Sequence, residues 1–131
     1  MSATPKIRID LNSSVPAYRQ IVDALRVLFV EGRIRPGDSL PSVRRVALDL
    51  GVHFNTVGEA YRQLAQEGWI DLQQGKSAVV RDRGLPPPAP VEQVKQFRAR
   101  LRAFVAEARA SGIAPAKIVE ELKSLVQELL P

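Results

Sequence analysis

The chain has 131 residues, 45% of them hydrophobic and 25% charged, with a formal net charge of +5, no cysteine and a single histidine, His53. A chain of this length buries one core and a small appendage rather than two large domains, and its composition is that of a folded globular protein. The missing cysteines remove disulfides, thiolate nucleophiles and Cys-based zinc sites. One histidine cannot build a His-rich metal centre, and the positive charge points only weakly to a polyanionic partner such as nucleic acid.

The segment Met1 to Asp10 lacks the apolar centre of a signal peptide. No apolar run approaches the roughly 20 residues that span a bilayer, so the expectation is a cytoplasmic protein with no membrane partner. Tyr18, Ile21, Val22, Leu25, Leu28 and Phe29 then recur at three- and four-residue intervals and predict a first helix, entered at Pro16 and closed at Gly32. A turn at Pro36-Gly37 leads to Ser42, a capping residue for a second helix with Val43, Val46, Ala47 and Leu50 on its buried face, ended by Gly51. Val57, Ala60, Tyr61 and Leu64 set the buried face of a third helix that stops at Gly68.

Two helices joined by a short glycine-containing turn form a helix-turn-helix. Trp69 to Gln73 alternates as a strand does, Gln74-Gly75-Lys76-Ser77 supplies a turn, and Ala78-Val79-Val80 returns as the partner strand. A leading helix, a tight helix pair and a basic-tipped hairpin make the winged-helix plan. The proline run Pro86-Pro87-Pro88-Ala89-Pro90 cannot donate backbone hydrogen bonds and holds an extended conformation, so it divides the chain. Beyond it, Val94, Phe97, Leu101, Phe104, Val105 and Ala108 predict one amphipathic helix closed at Gly112. Ile118, Leu122, Leu125, Val126 and Leu129 predict a second, begun at Pro115.

The expected class is therefore α+β: a winged helix-turn-helix domain over 1–84 with three helices and a β-hairpin wing, a Pro-rich linker over 85–90, and an all-α two-helix tail over 91–131. Two short amphipathic helices cannot hide both apolar faces alone, so the tail must pack on the winged domain, on a partner subunit, or on both.

The stretch Gly32-Arg33-Ile34-Arg35-Pro36-Gly37-Asp38-Ser39-Leu40-Pro41-Ser42, followed by Val43-Arg44-Arg45-Val46-Ala47, Leu50-Gly51-Val52, Asn55-Thr56-Val57 and Glu67-Gly68-Trp69-Ile70, resembles the GntR family of bacterial regulators from about Ile9 to Arg81. Ser42-Val43-Arg44 and the short two-helix tail resemble its YtrA type in particular. The resemblance implies a sequence-specific DNA-binding transcription regulator, with repression as the usual mode and a homodimer formed through the tail. The operator would be an inverted repeat in double-stranded DNA. A single small winged domain rarely gives enough affinity at physiological salt, which favours the dimer independently.

In that setting the third helix enters the major groove, where its N-terminal side chains reach base edges. With Val57, Ala60, Tyr61 and Leu64 turned to the core, Asn55, Thr56, Glu59, Arg62 and Gln63 are left for DNA or solvent, and Asn55 and Thr56 are the foremost readers. The family resemblance gives Arg44 a DNA contact. Arg45 stands evenly between a phosphate contact and a solvated helix face. Gly75 permits a tight wing turn and Lys76 reaches a phosphate or the minor groove.

His53 either caps the third helix or touches a phosphate. Phe54 is either core or a contact for a thymine methyl, with core the weightier reading. Tyr61 and Trp69 are packing residues. His53-Phe54, Gly58, Glu59 and Ser77 depart from the family pattern: Glu59 repels phosphate unless it accepts from a cytosine amino group or pairs with Arg62, and Gly58 weakens the helix by about 1 kcal/mol relative to Ala.

The inventory contains no phosphate-binding glycine loop, no paired acids in a recognisable motif and no metal or cofactor set, which sets aside an enzyme. The standing alternative is a winged-helix module for protein interaction only. A small-molecule effector is unidentified, and one that acts must sit between domains or at the dimer interface.

Overall fold

The computed structural model describes residues 6–73, 77–84 and 86–130. Its elements run α1 (Ala17–Val30), α2 (Val43–Leu50), α3 (Phe54–Gln66), β1 (Ile70–Asp71), β2 (Val79–Val80), α4 (Val91–Ala110) and α5 (Pro115–Leu129). Three helices and a small antiparallel hairpin followed by two more helices are the expected α+β arrangement. None of the described helices is long and apolar enough to cross a membrane. The chain divides into two compact units, Met1–Gly84 and Leu85–Pro131.

The first unit is organised around one core. Ile21, Val22, Leu25 and Phe29 of α1 meet Val46 and Ala47 of α2, Val57, Ala60, Tyr61 and Leu64 of α3, and Ile70, Ala78 and Val80 of the hairpin. Tyr18 and Leu28, spaced with the buried face of α1, pack half-buried against it. Burying these side chains supplies about 1.5–3 kcal/mol for each large one, against the entropy of ordering the backbone.

Local chemistry sets the helix ends. Ser42 Oγ accepts from the backbone N–H of Arg45 at 3.1 Å and satisfies one of the unpaired donors at the start of α2. Gly51 closes the same helix with φ +70°, a left-handed conformation that side chains resist, and its N–H returns to the carbonyl of Ala47. The next helix begins three residues later, so the turn between α2 and α3 is short and its geometry closely held.

The hairpin pairs Ile70 with Val80 and Asp71 with Val79. It is shorter than the alternation predicts, because Trp69 gives its N–H to Leu64 at the exit of α3 and joins the sheet only through its carbonyl, which accepts from Arg81. An unpredicted third segment attaches: Ser39 bridges Val79, Gly37 and Leu40 donate to the carbonyls of Val80 and Ala78 at 2.8 Å, and the N–H of Val80 returns to Asp38. The connection between α1 and α2 is thereby bonded to the wing.

In the second unit, α4 and α5 are 20 and 15 residues long and neither contains a buried residue. Their stripes are present as predicted but stay exposed, with Phe97, Leu101 and Phe104 on α4 and Leu122, Leu125 and Val126 on α5. Gly112, at φ +92°, lies in the turn between them, and Pro115 starts α5.

Candidate nucleic-acid interface

Two sides of α3 differ sharply. Val57, Ala60 and Leu64 have no exposed surface and Tyr61 almost none. The Tyr61 hydroxyl donates to the carbonyl of Pro41 at 2.7 Å, tying α3 to the residue that precedes the α2 cap, and burial pushes its phenol well above the usual tyrosine range. That hydroxyl is a locked structural donor, as the packing reading of Tyr61 requires. Asn55, Glu59 and Arg62 lie on the other side, all exposed, with Thr56 half-buried beside them.

The far end of α3 is fixed as well. Arg26 of α1 grips the Glu67 carboxylate through Nη2 at 2.8 and 2.9 Å and through Nε at 3.3 Å, and Gln63 donates a further bond at 3.1 Å. Burial alone would raise the Glu67 carboxyl, but the bonds from Arg26 and Gln63 and the charge of Arg26 outweigh it and hold the group below its ordinary value. Nothing in the spacing of Arg26 and Glu67, 41 residues apart, announces the pair. With Tyr61 anchoring the middle and this fork the end, the orientation of α3 is over-determined, which suits a helix that must present side chains in register.

At its beginning, His53 is the cap. Its Nδ1 accepts from the N–H of Asn55 at 3.1 Å, and its carbonyl accepts from the N–H of Thr56 at 3.0 Å. Of the two readings open for His53, the cap is the one present. Accepting at Nδ1 leaves the proton of the neutral ring on Nε2.

Phe54 is not core, and the weightier sequence reading is corrected here. It is 48% exposed, stacked on the His53 ring at 4.6 Å between centroids, with the Arg44 guanidinium 5.8 Å from its centre. The physical reason is position: as the first residue of α3 it precedes the turn whose side chains point inward at Val57.

The two arginines of α2 are unlike. Arg44 is exposed and makes no ion pair among the described residues, whereas Arg45 reaches Asp49 one turn on, at 3.3 Å. A phosphate contact by Arg45 must compete with that partner. Glu59 and Arg62 do not pair among the described residues. Arg62 instead lies back along the helix, where a Cβ on Gly58 would come within 3.3 Å of its Nη1, so Gly58 leaves the space this side chain occupies.

Trp69 stacks on Phe29 at 5.1 Å and carries the Arg83 guanidinium over its ring, 4.1 Å from the centroid, a packing role as expected. Gly75 and Lys76, predicted for the wing tip, lie outside the described residues. The structure thus sets Arg44 at the beginning of α3, against the Phe54 ring, and leaves Asn55, Glu59 and Arg62 exposed along that helix.

Comparison with known proteins bears on what this surface serves. The profile of the gntR family of bacterial regulatory proteins matches residues 17–80. The HTH-type transcriptional repressor YtrA of Bacillus subtilis (strain 168) is 32% identical over 120 residues, covering 91% of each chain. The solved structure of YtrA from Sulfolobus acidocaldarius, a GntR-family transcription factor, is 36% identical with a TM-score of 0.57, over 95% of this chain and all of that one. A protein of Listeria monocytogenes EGD-e described as a transcriptional antiterminator shares the fold at a TM-score of 0.75 and 23% identity, covering 98% and 96% of the two chains.

Proposed function

The chain belongs to the gntR family of bacterial regulatory proteins, and from that premise we propose that it represses transcription in the cytoplasm by binding an inverted-repeat operator as a homodimer. The observation that carries this reading is the division of α3 into a buried side and an outward side. The outward side bears Asn55 and Arg62 with Thr56 at its margin, and at the start of the helix stands Arg44, which makes no ion pair among the described residues.

In the proposed complex α3 lies in the major groove. Asn55 and Thr56 bond base edges or phosphates, Arg44 makes a charge-assisted contact, and Arg62 and Arg45 add attraction to the backbone. Gly75 and Lys76 bring the wing to a phosphate or the minor groove. Glu59, on the same face, suits a cytosine amino group and disfavours close phosphates, which makes it a discriminator rather than a source of affinity.

The exposed stripes of α4 and α5 support the homodimer, because an apolar face of that extent on a helix pair calls for a partner. Two-fold pairing places half-site centres about one helical turn apart or a multiple of it. An effector, if one acts, shifts the population of the DNA-competent arrangement.

Selection of bound sequences from a random double-stranded pool, followed by a salt titration of the winning site, tests the proposal. An inverted repeat with a log-log salt slope near −0.9 per phosphate contact supports it. No enrichment from a folded dimer favours the module for protein interaction only. Arg44→Ala is expected to weaken the operator complex by about 1–3 kcal/mol; unchanged affinity with intact folding removes Arg44 from the interface.

A further inference from the structure

We propose that Phe54 reads DNA directly, its ring packing on the C5 methyl group of a thymine in the major groove. The inference rests on the operator-binding reading and adds a specificity-determining residue to it. An aromatic ring 48% exposed at the first position of α3 is turned to the same end of the helix as Asn55. Side chains at that end are the ones that reach base edges when such a helix enters the groove. The thymine methyl is the apolar group displayed there, and Phe is among the side chains suited to it.

The ring is held before any ligand arrives. His53 stacks on it at 4.6 Å, and His53 is itself fixed by the N–H of Asn55 on Nδ1 at 3.1 Å. The cap of the helix thus doubles as the backing of the ring. Ordering a side chain in advance removes part of the entropic cost of binding.

The chemistry of the neighbours selects nucleic acid over an apolar protein surface. The Arg44 guanidinium stands 5.8 Å from the ring centre and has no carboxylate partner among the described residues. An apolar protein surface that covered both the Phe54 ring and the guanidinium would bury that charge unpaired, at a cost of several kcal/mol. DNA covers the ring with a base edge and meets the guanidinium with phosphate or a guanine edge in one docking event.

The test replaces each thymine of the selected operator by uracil, which removes the C5 methyl alone, and measures affinity for the wild-type chain and for Phe54→Ala. At one thymine in each half-site the wild type is expected to lose about fourfold per methyl, the worth of one buried methyl group. Phe54→Ala, which removes the ring from both half-sites, should lose that factor twice over, roughly 16-fold, on the unmodified operator and show no further loss at that thymine. Reselection with Phe54→Ala should no longer hold thymine at that place. Because the ring is half exposed, the variant should keep the wild-type unfolding midpoint.

Phe54→Ala binding as tightly as wild type overturns the proposal, as does a variant as sensitive as wild type to every uracil. A variant that loses self-association while each chain still folds assigns the ring to a protein interface and also overturns it. If the wild type selects no DNA at all, the operator reading itself fails, a result distinct from each of these.

Discussion

Helices α3 and α5 are of similar length, 13 and 15 residues, and carry the same kind of apolar stripe, but their fates within one chain differ. In α3 the stripe is between 0 and 2% exposed; in α5 Leu122, Leu125 and Val126 remain 40–52% exposed. The first has α1, α2 and the hairpin around it, the second has no buried residue at all. Helical periodicity therefore reports that a face is apolar, and leaves open whether its partner lies in the same chain.

The sharpest way to break this comparison is to make the same substitution in both helices. Leu64→Ala should cost about 2–5 kcal/mol of unfolding free energy in urea titrations, because it empties a site with no exposed surface. Leu125→Ala should change the unfolding of the first unit by less than about 0.5 kcal/mol while weakening self-association in sedimentation. Equal effects on folding would erase the distinction.

Removal of the residues after Gly84 should leave a folded domain by circular dichroism whose operator affinity, read by fluorescence anisotropy, is lower by about 100-fold or more, since the two linked half-site contacts of the proposed dimer become one. A truncated chain that still pairs and binds at full strength would place the dimer contact in the first unit.

Smaller effects sharpen the picture within the first unit. Ser42→Ala removes the acceptor for the Arg45 N–H and should lower stability by about 1 kcal/mol, seen as a shifted urea midpoint with self-association untouched. The Arg26–Glu67 pair should matter least, because its side chains are 35% and 29% exposed and water screens them to less than about 1 kcal/mol. Its sign is fixed: folding lowers the Glu67 carboxyl from an ordinary value of 4.5, so the contribution is complete above that pH and is lost as pH falls through the folded value. Glu67→Gln should flatten the acid side of the stability profile; an unchanged profile would show the pair to be energetically silent.

The core was legible because Val57, Ala60, Tyr61 and Leu64 repeat at helical spacing, and Ser42 and Gly51 mark the ends of α2 in their own chemistry. The same periodicity left Asn55 on the outward side of α3, and the family resemblance singled out Arg44. Other features were not readable. Asp38, Ser39 and Leu40 show no strand alternation, so their bonding to the hairpin depends on contacts some 40 residues away in the chain. Arg26 and Glu67 meet only when α1 crosses α3. Phe54 misled because an apolar residue at a helix start satisfies either a core or a surface pattern, and only the direction of its ring decides. Arg45, indistinguishable from Arg44 by type, is separated from it by the position of Asp49 one turn away.

The bonding of Gly37 to Leu40 along β2 has a further consequence. A strand with a bare side is a template on which another chain can continue the sheet, the route to domain swapping and fibres. Here the outer side of the return strand is already occupied by the chain's own backbone at 2.8 Å, so growth of the sheet from that side into polymers is closed off.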